Sequence, residues 1–309
     1  MRTTSIQGEY GTSGEDGQIP KLTVAGSIPV ARSDFRTDER NEDYHADKAW
    51  DSASTLKDWL CCPSYYHRRH ILGVEPPFSS SSLERGSLVH TSLEIGREET
   101  ERRVRVIPQE HSTQSGISSS KKTREWLAEQ DPDTIWVSQL DGEFLGEVWR
   151  QIELNSAALQ VYESLQHREC SIRWERQDGT KLKCRPDGIT ADGICIDYKS
   201  CRFANPLKQF WANVRDYKYG LQSVLYSEGC AAAGFSGQPL IFVLIGTVSP
   251  YAVQVVRLPQ KVLDLGRRQL ERAIRDMQAH RVLQYDYLPH GYGEIHTLEV
   301  PDYILKDEV

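Results

Sequence analysis

The chain has 309 residues, 39% of them apolar, with 37 Lys and Arg against 44 Asp and Glu, a formal net charge of −7. That length suits one large domain or two ordinary ones. The acidic balance argues against a protein that holds nucleic acid by bulk positive charge, while a local basic groove needs only a few residues. The longest strongly apolar run, 240–246, is far shorter than the roughly 20 residues of a membrane span.

No apolar core segment marks the N-terminus as a signal peptide, and a cytoplasmic location is expected. The seven cysteines are odd in number and form no C-x-x-C pair. They read as reduced, mostly buried thiols, and zinc is not expected. Residues 1–44 are rich in Gly, Ser, Thr and acidic side chains without periodicity and are predicted to be a disordered leader. Residues 45–309 are taken as one folded domain.

In chain order, Ser52 or Ser54 can cap a helix through Leu56, Trp59 and Leu60, which Pro63 interrupts. A Pro/Ser loop at 76–82 precedes a second helix, 83 to about 99, with Leu83, Leu88, Leu93 and Ile95 inward. Residues 108–120 read as loop. Helices are predicted around 121–130 and 141–166. The period then changes: 171–176 and 181–185 alternate around the turn Gln177-Asp178-Gly179-Thr180, a hairpin signal. A third strand covers 193–197, followed by a helix over 206–228, strands at 240–247 and 251–258, and a helix over 259–283. This order predicts an α/β or α+β fold with one mixed central sheet flanked by helices.

Two acids close adjacent strands: Asp187 after Arg185-Pro186, and Asp197 before Tyr198-Lys199. Asp197 and Lys199 are two apart on an extended chain and therefore share a face. If the strands form a meander, Asp187 arrives beside them. Two carboxylates with a lysine can bind Mg²⁺, orient or deprotonate an attacking water, and stabilise negative charge developing on phosphorus. Alone, the pattern is more often a turn residue and an edge-strand ion pair. Two features add to it. His90 lies four residues after Gly86, with Glu94 one turn later on the same helix face. Gln222 and Tyr226 are four apart on the helix after Lys199 and share a face.

Gly-x-x-x-His, Arg-Pro-Asp, Asp-x-Lys and Gln-x-x-x-Tyr, in that order, resemble the motif series of the RecB-like branch of PD-(D/E)xK nucleases. More narrowly they resemble the nuclease domain of RecE, exodeoxyribonuclease VIII. Asn41 to His45, Ser52 to Lys57, Cys62 to Tyr66, Leu83 to His90 and Cys170 to Trp174 follow the same pattern, and the likeness spans roughly residues 41–285. The resemblance implies a restriction-endonuclease-like core with an N-terminal helical elaboration. It implies metal ligation by His90, Asp187, Asp197 and the Tyr198 carbonyl, Lys199 acting on the attacking water, and Gln222 and Tyr226 holding DNA. Glu94, Glu169 and Glu175 are supporting candidates. It further implies Mg²⁺, with Mn²⁺ substituting, a ring-shaped homo-oligomer of tetramer type, and a RecT-type annealing partner. Some RecB-like nucleases carry an iron–sulfur cluster held by a C-terminal cysteine trio. The last cysteine here is Cys230, so no cluster is expected and Cys61 and Cys62 read as packing thiols.

DNA needs positive charge beside the acids. Between 197 and 220, Lys199, Arg202, Lys208, Arg215 and Lys218 outnumber Asp197 and Asp216, and Arg185 adjoins Asp187. Phe203, Phe210 and Trp211 interleave with these cations and are either base-stacking platforms or core. Residues 67–70 and 267–268 are further basic clusters. The expected activity is a Mg²⁺-dependent exonuclease digesting linear duplex DNA from 5′ ends to leave 3′ single strands. The alternatives are a nuclease of single strands or flaps, an endonuclease of DNA processing or defence, and a degenerate, non-catalytic DNA-binding module.

Overall fold

The computed structural model describes residues 30–75, 81–113, 116–202, 204–283, 293 and 295. The first 29 residues of the expected leader, most of the 76–82 loop and Phe203 lie outside them. The chain opens with β1 (Val30–Arg36), α1 (Asn41–Ala46), α2 (Ala53–Cys61) and α3 (Pro63–Tyr66), which continues into a π-helical turn over His67–Ile71. Then come α4 (Ser81–Ile95), α5 (Arg97–Arg103), β2 (Val104–Val106), β3 (Ser112–Thr113), β4 (Gly116–Ile117), α6 (Lys121–Ala128), β5 (Ile135–Val137), α7 (Gln139–Leu154) and α8 (Ser156–Glu163). The remainder is β6 (Leu165–Arg168), β7 (Ser171–Arg176), β8 (Lys181–Cys184), β9 (Gly188–Thr190), β10 (Cys195–Cys201), α9 (Pro206–Asp216), α10 (Tyr219–Ala232), β11 (Ile241–Gly246), β12 (Val253–Arg257) and α11 (Gln260–Leu283).

Several expected helices end earlier than their hydrophobic periodicity suggests, each for a local reason. Gly96, at φ 88, separates α4 from α5, a left-handed turn that glycine adopts without steric cost. Asn155 stops α7 and caps α8, its Oδ1 accepting from the N–H groups of Ala157 and Ala158. The tail of that expected helix is instead strand β6. Lys218, at φ 48, divides α9 from α10. At the start of α2, Ser52 is the cap, and its side chain and Thr55 bond reciprocally.

Two corrections concern larger organisation. Within the stretch expected to be a leader, β1 pairs antiparallel with β7, and α1 follows it. The 171–185 hairpin does not extend the central sheet as a meander. It forms a separate antiparallel sheet in the order β1-β7-β8, whereas the five-stranded sheet runs β12-β11-β10-β9-β6. The expected mixed central sheet is the five-stranded one, with β10–β11 parallel and its other pairs antiparallel; the hairpin lies outside it, and the intervening short strand β9 is what pairs with β10.

β10 and β11 are parallel neighbours with α9 and α10 as the crossover, the connection such a pair requires. All six residues of β11 are buried. Its period of two divides them between two cores: Phe242 and Leu244 pack with Trp174, Leu182, Leu221 and Leu258, while Ile241, Val243 and Ile245 pack with Val89, Leu93, Phe144 and Trp149. β10 divides likewise, sending Ile196 and Tyr198 to the second core. Asp197 and Lys199 therefore face the side covered by α10.

The cysteine expectation also changes. Cys195 on β10 and Cys230 on α10 form a disulfide across the first core, a pairing hidden by their separation of 35 residues. Among the described thiols, Cys170, Cys184 and Cys201 are buried as expected, but Cys61 is exposed.

A buried ion cluster ties the second sheet to the helices. Arg176 on β7 bonds Glu228 of α10 through two contacts of 2.6 Å, and Trp174 Nε1 donates to the same carboxylate at 2.8 Å. The side chains of Arg176 and Glu228 are only 4% and 9% exposed. Arg176 also pairs with the half-exposed Glu271 at 3.0 Å, so removing Glu228 leaves the arginine one weaker partner and the Trp174 N–H no acceptor, at a cost of about 3 kcal/mol, the lower end for a broken buried pair. Glu228→Ala is expected to lower the unfolding free energy by about that amount, read as a lowered denaturant midpoint. A loss below about 1 kcal/mol, the range of exposed pairs, would show that the cluster does not hold the two layers together.

Candidate active site

A cleft of about 750 Å³ opens between the segment after β1, helix α4 and the edge formed by β8, β9 and β10. Its wall contains His90, Glu169, Asp187 and Tyr226. Asp187 lies between β8 and β9 rather than at a strand end, and Asp197 lies inside β10. The backbone N–H of Tyr198 donates to Asp187 Oδ2 at 2.6 Å, which fixes the carboxylate over the β9–β10 pair.

Helix α4 brings His90 to this point. Gly86, one turn earlier, passes against Ser200 on β10, and a Cβ there would stand 3.0 Å from the serine hydroxyl. The missing side chain lets the helix approach the strand. His90 Nδ1 then lies 3.4 Å from Asp187 Oδ1. Burial disfavours a charge on His90, but the adjacent Asp187 carboxylate outweighs it and lifts the imidazole pKa to about 9. Burial likewise opposes charge on Asp187, and His90 pulls its carboxyl below the usual range.

Glu169 completes the group. It sits at φ 48, a conformation uncommon for a residue other than glycine and one found at functional sites. Its backbone N–H donates to the Asp187 carbonyl at 3.1 Å. Its Oε2 accepts from Arg185 Nε at 3.0 Å. Burial, then the Asp187 charge, push its pKa up to about 7. Among the described residues, His90, Glu169 and Asp187 place one ligand atom each within 4.8 Å of one another. Two carboxylates and an imidazole fit a divalent cation, whose positive charge would relieve the crowding of these acids.

Asp197 is 3% exposed and is engaged by two neighbours. Its Oδ2 forms an ion pair with Lys199 Nζ, and its Oδ1 accepts from Gln222 Nε2 at 2.6 Å. Of the expected ligands His90, Asp187 and Asp197, the first two converge with Glu169, while Asp197 is paired with Lys199. A buried carboxylate two residues from an ammonium on one strand face makes that pairing the cheapest way to leave water. Burial raises Asp197 above the ordinary carboxylate range against the pull of Lys199. Burial also opposes charge on Lys199, but Asp197 more than compensates and holds the ammonium protonated.

The expected DNA-contacting residues divide. Gln222 is 5% exposed, with its amide committed to Asp197 and, through Oε1, to Lys57 Nζ at 2.8 Å. Tyr226 lines the cleft and donates to the Arg185 carbonyl at 3.3 Å. Arg185 is engaged by Glu169, by Ser171 Oγ at 2.8 Å and by the Glu39 carbonyl at 3.0 Å. Arg202 and Lys208 are exposed and stand outside the cleft lining. Phe210 belongs to the core, while Trp211 is 54% exposed. Glu94 is exposed on the cleft wall, and Glu175 pairs with Arg32 at 2.8 Å. Sequence alone marks no role for Lys57 and places Glu169 among several acids. A lysine beside the buried positions Leu56 and Trp59 of α2 is a faint signal for Lys57. The turn that aims Glu169 has no sequence mark.

Among the described residues no helix is long and apolar enough to cross a membrane. No curated protein matches the chain. A crystal structure of a protein from Eubacterium rectale, named provisionally as an exonuclease, superposes with a TM-score of 0.56 at 15% identity, covering 88% of this chain and 99% of that one. That likeness is one of fold. The sequence profile of the PD-(D/E)XK nuclease superfamily matches residues 52–292, which include His90, Glu169, Asp187, Asp197 and Lys199. The chain belongs to the PD-(D/E)XK nuclease superfamily.

Proposed function

We propose that the protein is a Mg²⁺-dependent DNA exonuclease of the RecE type, degrading linear duplex DNA from 5′ ends and leaving 3′ single strands for recombination. The observation that carries the reading is the convergence of His90, Glu169 and Asp187 in one cleft, with the Asp197–Lys199 pair on the adjoining strand. His90, Glu169 and Asp187 would hold the cation, with Asp197 and the Tyr198 carbonyl as further ligands. Bound Mg²⁺, or Mn²⁺ in its place, supplies Lewis acidity for phosphodiester hydrolysis. Lys199 orients the attacking water and meets the charge that grows on phosphorus. Tyr226 faces the substrate from the cleft wall, and Gln222 acts through Asp197. A RecT-type annealing partner and a tetrameric ring belong to the same reading.

Outside the cleft, α9 offers a surface for the strand. Leu207, Lys208, Trp211 and Arg215 are exposed on its outer side, whereas Phe210 and Val214 anchor its inner side. An exposed indole among cations suits stacking on unpaired bases.

The test is digestion of end-labelled linear duplex with Mg²⁺, beside closed-circular and single-stranded DNA. The expected result is loss of label from the 5′ end of linear duplex, with the circle intact. Lys199→Ala is expected to lower kcat by roughly 10²–10³-fold. An inactive wild-type protein, or an Asp187→Ala variant as active as wild type, contradicts the nuclease reading. Preference for single strands, or cleavage of the circle, would instead assign a flap or endonuclease activity.

For α9, Trp211→Ala is expected to weaken binding of a single-stranded oligonucleotide by about 1–3 kcal/mol, measured by fluorescence anisotropy at fixed salt. Unchanged affinity would remove α9 from the strand path.

A further inference from the structure

Lys57 of α2, which the proposed reaction does not use, is joined through Gln222 to the Asp197–Lys199 pair. Lys57 of α2 donates from Nζ to Gln222 Oε1 at 2.8 Å, and Gln222 Nε2 donates to Asp197 Oδ1 at 2.6 Å. Lys199 holds the other oxygen of the same carboxylate. Both ammonium groups also lie over the ring of Tyr219, Lys57 Nζ at 5.3 Å and Lys199 Nζ at 5.1 Å from its centroid, within cation–π range. Three elements far apart in sequence, α2, β10 and α10, thus meet through one hydrogen-bonded chain and one shared aromatic face.

The chemistry of the chain is directional. A glutamine amide has one donor end and one acceptor end, and its two orientations fill nearly the same space. Beside a buried carboxylate only the NH₂ end is favourable. The reverse orientation sets a carbonyl dipole against the negative charge and leaves a buried acceptor unpaired. An ammonium carries donors alone, so Lys57 can be met only by the amide carbonyl. We propose that Lys57 is a positioning residue that locks the Gln222 amide so that Asp197 keeps Oδ1 bound on the helix side and presents Oδ2 to Lys199 and the reaction. Burial and the neighbouring Lys199 charge press Lys57 down to about 7; the amine, like the ammonium, keeps N–H donors for the Gln222 carbonyl, and the Tyr219 face adds to the contact while the group is charged.

The inference rests on the nuclease reading only for its activity readout. The experiment compares Lys57→Met, Lys57→Arg, Gln222→Met and the double variant Lys57→Met/Gln222→Met in the full chain. Loss of a residue that orients a reacting group costs about 10–100-fold. Lys57→Met is expected to lower kcat by that factor with little change in KM for DNA, and Lys57→Arg, which keeps the donors, to recover most of it. The double variant is expected to be no worse than Gln222→Met, because Lys57 acts through that amide. A second readout does not depend on catalysis. The side-chain amide resonances of Gln222, assigned by their absence in Gln222→Met, are expected to shift in Lys57→Met and to return towards wild type in Lys57→Arg. Losses that multiply in the double variant, or Gln222 resonances unmoved in Lys57→Met, overturn the proposal. Should Lys57→Met not fold, Lys57→Ser removes the reach with a short polar side chain and is read the same way. If wild-type protein digests no DNA, the nuclease reading fails while the resonance test still decides the role of Lys57.

Discussion

The parallel pairing of β10 with β11 is the constraint on which the site depends. Strand alternation sends Ile196 and Tyr198 into one core and leaves Asp197 and Lys199 on the opposite face, beneath α10. Neither charge can be left alone so far from water, since each would cost several kcal/mol unpaired. The two neutralise each other, and the remaining carboxylate oxygen takes the Gln222 amide. Helix α10 is thereby tied to β10 by a polar contact as well as by packing. The close crossing of α10 and α11 at Gly220 and Gly266, where a Cβ on Gly266 would meet the Gly220 backbone at 2.2 Å, holds that helix against the sheet.

The other half of the site is brought in from outside the sheet. His90 comes from α4, seated by Gly86 on β10. Glu169 comes from the turn between β6 and β7, where the chain passes from the five-stranded to the three-stranded sheet. Asp187 sits at the return passage, between β8 and β9. The three candidate ligand atoms therefore collect where the chain leaves one sheet and where it re-enters. Arg185 pairs with Glu169 and also reaches the Glu39 carbonyl, so the segment just after β1 closes the cleft over the acids. Ordering of residues 30–46 is part of building the site, and that segment is more than a tail on a finished domain.

Charge is distributed in the same way. The cleft floor is acidic and balanced internally by His90, Arg185 and Lys199, and its net character suits a cation. Exposed lysine and arginine lie outside it on α9, where Lys208 and Trp211 face solvent. A chain with an overall charge of −7 can thus carry exposed cations outside an acidic cleft.

Local chemistry is what the amino-acid order determined by itself: the Ser52 cap, the hairpin around Asp178-Gly179, the short reach from Asp197 to Lys199, and the one-turn spacing from Gly86 to His90 and from Gln222 to Tyr226. Each depends on residues within a few positions, whose geometry follows from helix or strand period. The same logic failed where a single residue interrupts a periodic pattern, as Gly96, Asn155 and Lys218 do, because an amphipathic run reads alike whether or not it bends. Long-range choices were decided only in three dimensions: that the hairpin belongs to a second sheet, that β1 completes it, that Cys195 meets Cys230, that Glu169 joins His90 and Asp187, and that Lys57 reaches Gln222. Those contacts are set by how two sheets and their covering helices share space and by the need to pair each charge taken from water. That need is satisfied by whichever partner the fold brings near, however distant it is along the chain.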